Sequence, residues 1–298
     1  MAGQLVAQSI SRTVWELVER GERTARVEAV FRRACVLRTS GGEAIGLVLG
    51  KAGDGPLNVV VDAAAEALSA LEPGMPARIE SAQLRVGPLE IDLQPARVWE
   101  ARPNWDGVRV CALHSIARYF SLQHLAMQSA PAGTLLPPLT RSPDRVELEN
   151  TAADATSTPI LGVVREALGP ITAGWRGGLD SLRAGAAQMA GLGGGLTPAG
   201  DDFLMGVMLA AWLLHPRPEE LCAAVVEAAE QRTSWLSAAF LWAAARGECG
   251  LAWHQLLAAL CSGDESDLDR TVQLLMSRGA TSGADALAGF LRAGLIHT

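Results

Sequence analysis

Short apolar runs dominate the chain between residues 27 and 100: VEAVFRRACVLRT, AIGLVLG, LNVVVDA, ARIESAQLRVGPLEIDL and ARVWEARP. Gly41–Gly42, Gly53–Asp54–Gly55–Pro56, Pro73–Gly74 and Gly87–Pro88 punctuate them. Evenly spaced runs of this kind with glycine and proline turns predict a small sheet or barrel. A short helix is expected within it at Ala63–Leu71. Val108–Met127 carries apolar residues at helical spacing and is expected to connect the sheet to the remainder of the chain. Residues 129–159 turn polar and gain Pro131, Pro137, Pro138, Pro143 and Pro159, the composition of a linker or active-site loop. From Ile160 onward the pattern is helical throughout, over 160–168, 175–190, 202–214, 218–229, 233–246, 251–262, 265–277 and 285–296. Pro218 with Glu219 and Glu220, and Asp264 with Glu265, Ser266 and Asp267, read as helix first turns. The expected class is α+β, a small β-rich N-terminal sheet or barrel followed by a mainly α-helical domain. The expected boundaries are 1–128 for the β-rich part with its connecting helix, 129–159 for the linker or loop, and 160–298 for the helical domain.

Composition narrows the function classes. The chain has 298 residues, 49% of them apolar, which suffices for a well-buried core. Its net charge is −7, it has a single lysine (Lys51) and no basic run, so neither nucleic acid nor an anionic membrane surface is an expected partner. The longest apolar run, Phe203–Leu214, is shorter than the roughly 20 residues a membrane span needs. The N-terminus lacks the apolar core of a signal peptide. A cytoplasmic location is expected. Cys35, Cys111, Cys222, Cys249 and Cys261 match no zinc spacing and read as reduced thiols. His124, His215, His254 and His297 are isolated, and His114, followed by Ser115, sits on an expected helix. No H-E-x-x-H or G-x-S-x-G occurs, which removes those hydrolase classes.

The chemistry concentrates in two segments, GLGGGLTPAGDDFLMG at 191–206 and GATSGADALAG at 279–289. Both contain G-x-D-x-L-x-G, as Gly200, Asp202, Leu204, Gly206 and as Gly283, Asp285, Leu287, Gly289. Each has a threonine upstream, Thr197 or Thr281, and each opens an apolar helix. A glycine-rich turn running into a helix start presents unpaired backbone N–H groups, an anion site by construction. Gly193, Gly194 and Gly195 with Gly200, Thr281, Ser282, Gly283 and Asp285 are the candidate substrate- and anion-binding residues. Asp201, Asp202 and Thr197 are the candidate catalytic ones. Asp201 and Asp202 would also be the ligands if a metal such as Mg²⁺ is bound, although the sequence fixes no cofactor. The bland alternative is a tight loop with doubled helix caps. Neither segment is a Walker loop or a dinucleotide-binding fingerprint. Two equivalent helix starts facing one site, each contributing an aspartate, is the geometry these segments suggest. Arg232–Thr233–Ser234 with Ser237 reads as another helix cap. Arg183 reads as part of a solvated helix face.

The first segment resembles the signature of the AllH-like family, roughly G-L-G-x-G-L-T-P-x-G-D-D-x-L-x-G. It matches at Gly191, Leu192, Gly193, Gly195, Leu196, Thr197, Pro198, Gly200, Asp201, Asp202, Leu204 and Gly206. Thr281, Ser282, Gly283 and Asp285 match the family's second mark, and Val27–Asp92, with Phe31 and the GDGP turn, resembles its N-terminal part. Gly194 and Ala199 depart from the residues common there, and Ala199 removes a hydroxyl. The family takes its name from a subunit of oxamate carbamoyltransferase. The resemblance implies carbamoyl transfer between oxalurate and phosphate in allantoin breakdown, an anionic small-molecule substrate, and partner subunits. The S-T-R-T-R phosphate loop of ordinary carbamoyltransferases is absent. Two other readings stand beside it: a Mg²⁺-dependent hydrolase or transferase of a small ureido or phosphorylated metabolite, and a non-catalytic metabolite-binding scaffold.

Overall fold

The computed structural model describes residues 4–113, 116–140 and 158–297. His114 and Ser115 therefore lie outside the described residues, as does the middle of the expected 129–159 loop. The chain forms two compact units, one running to Ala101 and taking in Glu248–Leu251, the other made of the remaining described residues.

The first unit is an eight-stranded barrel. Its strands are β1 (Gln4–Ser11), β2 (Arg23–Phe31), β3 (Ala34–Thr39), β4 (Ala44–Leu49), β5 (Asn58–Val61), β6 (Pro76–Glu80), β7 (Gln83–Val86) and β8 (Leu89–Asp92). They pair in the order β5-β4-β3-β2-β6-β7-β8-β1, and β1 closes the ring on β5. Closure removes the exposed edges of an open sheet. A ninth strand, β9 (Arg97–Trp99), pairs with the second half of β1 where β8 pairs with the first. Period-2 alternation turns Cys35, Leu37, Ile79, Leu84, Val86 and Ile91 inward to the core. The sequence pattern anticipated the strands from β2 onward and the short helical turn, here a 3₁₀ helix at Ala65–Leu68. It did not anticipate β1, which turns Ala7 and Ile10 to the core and buries the flanking Ser9 and Ser11, nor helix α1 (Arg12–Glu19). Ser11 starts α1 by accepting the Val14 N–H at 3.2 Å. Glu248–Leu251 is strapped to this unit: Cys249 N–H donates to Ala101 O at 2.9 Å and Leu251 N–H to Asp54 O at 3.0 Å.

The second unit is helical, with α2 (Trp105–Leu113), α3 (Ile116–Ser129), α4 (Leu136–Thr140), α5 (Thr158–Trp175), α6 (Leu179–Met189), α7 (Ala199–Leu214), α8 (Pro218–Ala229), α9 (Trp235–Ala245), α10 (Leu251–Ser262), α11 (Glu265–Met276) and α12 (Ser282–His297). The expected connecting helix is two helices, α2 and α3, both in this unit. The helix expected over 160–168 continues to Trp175 with Pro170 inside it. α7 is buried from Gly200 to Leu213 except at Met205, and α12 over most of its length. Helices apolar on every side belong at the centre of a bundle, and these two pack on each other there. Among the described residues no helix is long and apolar enough to cross a membrane.

Candidate active site

The two motif helices are built alike. α7 and α12 each have 16 residues and start at the same motif position, Ala199 and Ser282. Pro198 O accepts the N–H groups of Asp201 and Asp202 at 3.0 and 3.1 Å; Thr281 O accepts those of Ala284 and Asp285 at 2.9 and 3.0 Å. The glycines of the motif are also used in equivalent ways. A Cβ on Gly206 would stand 2.8 Å from the Ala286 carbonyl carbon, and one on Gly289 would stand 2.8 Å from the Phe203 carbonyl carbon, with the oxygens nearer still. Ala286 and Phe203 occupy the same motif position, so α7 and α12 cross about a local two-fold relation. Gly200 and Gly283 play the other shared part: a Cβ there would run into the backbone of Met189 or of Leu275, on the helix preceding each motif. Glycine at these four positions lets the helix backbones approach.

The crossing brings the chemistry together. The Thr197 and Ser282 hydroxyls lie 3.0 Å apart. The Asp285 charge acts on Asp202. Asp202 is 5% exposed and Asp285 1%. In both, Oδ2 is buried without a hydrogen-bond partner, a costly arrangement for a polar atom and one of those that mark functional sites. Burial pushes the Asp202 carboxyl up to about 8, against the favourable pull of the Ser282 and Thr197 hydroxyls and with the help of the Asp285 and Asp201 charges. Burial also raises Asp285, opposed by a backbone N–H from Leu135 and by the Thr281 hydroxyl. The Leu135 bond to Asp285 Oδ1 measures 2.7 Å.

Asp201 faces the other way. Its Oδ1 accepts the Gly191 N–H at 2.9 Å, and its Oδ2 accepts the Ser237 hydroxyl at 2.8 Å together with the Thr233 hydroxyl. It thus pins the glycine loop to the start of α9, where Ser234 caps by accepting the Ser237 N–H at 3.1 Å. With its acceptors occupied, Asp201 braces the loop and is not turned toward the Asp202–Asp285 pair. Gly191, Gly193 and Gly195 all have positive φ, at 72°, 111° and 92°, a backbone that glycine adopts without strain. Among the described residues the amides of Gly193, Gly194, Gly195, Leu196 and Thr197 have no acceptor, and Gly193–Leu196 are exposed. Alternating φ of this kind forms backbone concavities suited to anions.

The structure therefore gathers Thr197, Asp202, Ser282 and Asp285 at one place, with the glycine loop beside Thr197 and Thr281 behind Asp285. Arg183 is committed to Asp180 and Glu227 on an exposed face. Asp54 accepts from Ser9 and Arg97 within the barrel unit. Cys35, Cys222 and Cys249 are buried, and burial pushes the Cys35 thiol up to about 11. Sequence reasoning missed Leu135, whose contribution is a main-chain N–H and so leaves no residue-type signal; the proline-rich composition around it was the one available hint.

Residues 189–294 match the family model described as oxamate carbamoyltransferase subunit AllH, and residues 6–98 match that of the AllH family N-terminal domain, together more than half of the chain. No curated protein and no solved structure matches the chain.

Proposed function

The chain belongs to the AllH family, and on that footing we propose that it is a subunit of a multi-subunit carbamoyltransferase interconverting oxalurate plus phosphate with oxamate plus carbamoyl phosphate. The observation that carries this reading is the meeting of the two motifs: paired hydroxyls 3.0 Å apart over two buried carboxyls, each with a spare oxygen. The reaction needs donors for an anion and acceptors for a carbamoyl NH₂. The amides of Gly193–Thr197, at the start of α7, meet the first need, with the helix dipole behind them. Asp285 Oδ2 meets the second. Preset donors aimed at the carbamoyl oxygen and the phosphate lower the barrier through position and electrostatics, without a covalent intermediate. In this reading the chain works in the cytoplasm in allantoin nitrogen breakdown, together with the other subunits the family description implies.

The test is purification with the proteins encoded beside it, followed by assay of carbamoyl phosphate with oxamate. Asp202→Asn and Asp285→Asn should each abolish transfer while the assembly persists. Absence of transfer to any ureido or oxamate-like acceptor sinks the reading. The orphaned carboxylate oxygens also favour a second one, a Mg²⁺-dependent hydrolase or transferase of a small ureido or phosphorylated metabolite. Asp202, Asp285, Thr197 and Ser282 offer the hard oxygen donors Mg²⁺ takes, with water and substrate completing the shell; the ion would supply Lewis-acid polarisation of the substrate oxygen. The described residues hold no cluster of three or more His, Cys, Asp or Glu for a metal, which leaves the ion dependent on substrate. Activity strictly requiring added Mg²⁺ on ureido substrates without phosphate would favour this second reading.

A further inference from the structure

We propose that Cys111 and Cys261 form a reversible dithiol–disulfide couple, oxidised by a hydroperoxide and opened again by a thiol. Cys111 lies near the end of α2 and Cys261 near the end of α10. They are far apart along the chain, yet the Cys261 thiol donates a hydrogen bond to the Cys111 sulfur. Sulfurs that touch while carried on separate helices face each other, the first requirement of a disulfide. Cys111 is exposed and Cys261 partly so, whereas Cys35, Cys222 and Cys249 are buried. Cys222 is further held by its contact with Met208 O at 3.8 Å. An oxidant arriving from solvent therefore meets this pair before any other thiol of the chain.

The surroundings divide the roles. Cys111 stands open to solvent beside Val110, which is 62% exposed. Burial, reinforced by the hydrogen bond to Cys111, pushes the Cys261 thiol up to about 11. Cys261 therefore stays protonated and acts second. Arg118 of α3 fixes the end of α10 that carries it, donating from Nη1 to Leu260 O and Cys261 O at 2.8 Å each. A Cβ on Gly263 would stand 2.8 Å from the guanidinium carbon, so the cation lies close against this helix end. Its charge favours the thiolate that Cys261 becomes as it attacks. The couple is remote from the two motifs: Arg109, on the same helix as Cys111, binds Trp212 O and His215 O, at the opposite end of α7 from Asp202.

The oxidation balances with one hydroperoxide. The Cys111 sulfur attacks one peroxide oxygen, an S–O bond forms and the O–O bond breaks. The other oxygen leaves with its electron pair and takes the Cys111 proton, as water when the oxidant is hydrogen peroxide. Cys111 is then a sulfenic acid. The Cys261 sulfur attacks the Cys111 sulfur, the S–S bond forms and the S–O bond breaks. The departing hydroxide takes the Cys261 proton and leaves as a second water. Both sulfurs are oxidised and both peroxide oxygens are reduced. Two thiol equivalents reverse the change by exchange, and are themselves oxidised to a disulfide.

Treatment of the intact chain with hydrogen peroxide, followed by mass spectrometry without reductant, tests the couple. The chain should lose the mass of two hydrogens, and trypsin should release the peptide 110–118 joined to the peptide 247–270. The second peptide also contains Cys249, so fragment ions must place the bond at Cys261. Dithiothreitol should restore both thiols. Cys111→Ser and Cys261→Ser should each abolish the bridge. In Cys261→Ser the Cys111 sulfenic acid should persist and take up dimedone at least about tenfold more than wild type. The bond encloses α3 to α9, so the oxidised chain should melt later by about 10 °C. Cys111 oxidised alone in the wild type, a bridge from Cys111 to another cysteine, or survival of both thiols overturns the couple. An oxidised chain that melts no later than the reduced one overturns a bond made within the native fold. Neither readout depends on carbamoyl transfer, so the couple stands or falls apart from that reaction.

Discussion

Replacing Gly206 with alanine puts a methyl group where two helix backbones meet. The new Cβ would lie 2.8 Å from both the Ala286 carbonyl carbon and the Phe290 nitrogen, and nearer still to the Ala286 oxygen, whereas ordinary contacts begin at 3.4 Å. The obstacle is main chain, so no side-chain rotation relieves it. α7 and α12 must separate by at least the 0.6 Å between those two distances. A radial gap of about 0.5–1 Å forfeits a quarter to a half of the dispersion attraction across the affected contacts. Overpacking of this sort costs about 1–3 kcal/mol and sometimes more. Alanine recovers up to about 1 kcal/mol through helix propensity, and the separation spreads along both helices, so a net loss of about 2 kcal/mol or more is expected. Urea unfolding followed by circular dichroism measures it. Gly289→Ala should cost a similar amount, because its Cβ stands 2.8 Å from the equivalent Phe203 carbon. The double variant should lose less than the sum, since the first substitution already opens the crossing. Gly162→Ala in α5 is the control: nothing lies within 4 Å of its Cβ, so it should stabilise by up to about 1 kcal/mol. A Gly206→Ala protein as stable as wild type would refute the close crossing, and with it the meeting of Asp202 and Asp285.

Asp202 should make stability depend on pH with a definite sign. Its carboxyl titrates near 3.8 in an ordinary setting and near 8 in the fold, so the folded state binds the extra proton between those values and stability falls as pH rises through them. Asp202→Asn should remove that slope and leave the variant more stable than wild type at pH 8, by an amount on the order of several kcal/mol, read from denaturant titrations at pH 5 and pH 8; a steeper slope in the variant would contradict the burial argument. Asp201→Ala should orphan the Gly191 amide and the Thr233 and Ser237 hydroxyls. A loss of about 3 kcal/mol and faster proteolytic nicking at Gly193–Gly195 are expected, and unchanged proteolysis would show that the loop does not depend on this anchor. Thr197→Val should cost about 1 kcal/mol of stability but slow carbamoyl transfer about tenfold, the equivalent of 1.4 kcal/mol; equal kcat in the two proteins would remove the hydroxyl from the site.

The barrel was legible because its strands alternate cleanly, and Cys35, Leu37, Ile79 and Leu84 announce a buried face by residue type alone. β1 escaped because a bulge between Ala7 and Ser9 breaks its alternation and its core face shows only Ala7 and Ile10, while Ser9 and Ser11 are buried against Asp54 and the start of α1. The convergence of the two motifs was legible as repetition, since the same glycines serve the same close approaches in both. What each neighbouring aspartate does was not legible. Asp201 and Asp202 are adjacent in sequence but about 100° apart around a helix, and only the positions of Gly191, Thr233 and Ser237 on one side and Ser282 and Asp285 on the other separate a brace from a carboxyl with a spare oxygen. Leu135 acts through its backbone, which every residue type possesses.

The strap at Glu248–Leu251 has a consequence for how this protein can be taken apart. Four residues deep in the latter half of the chain complete the β unit's hydrogen bonding at Ala101 and Asp54. The polypeptide thus leaves the barrel, returns to it briefly and leaves again. No single scission yields two whole modules. A fragment ending at Ala101 is expected to melt earlier than the same region in the intact chain, and a synthetic peptide spanning the strap should restore part of the difference. Any rearrangement of this gene by recombination must carry both stretches together or forfeit the two backbone hydrogen bonds that tie the strap to the barrel unit.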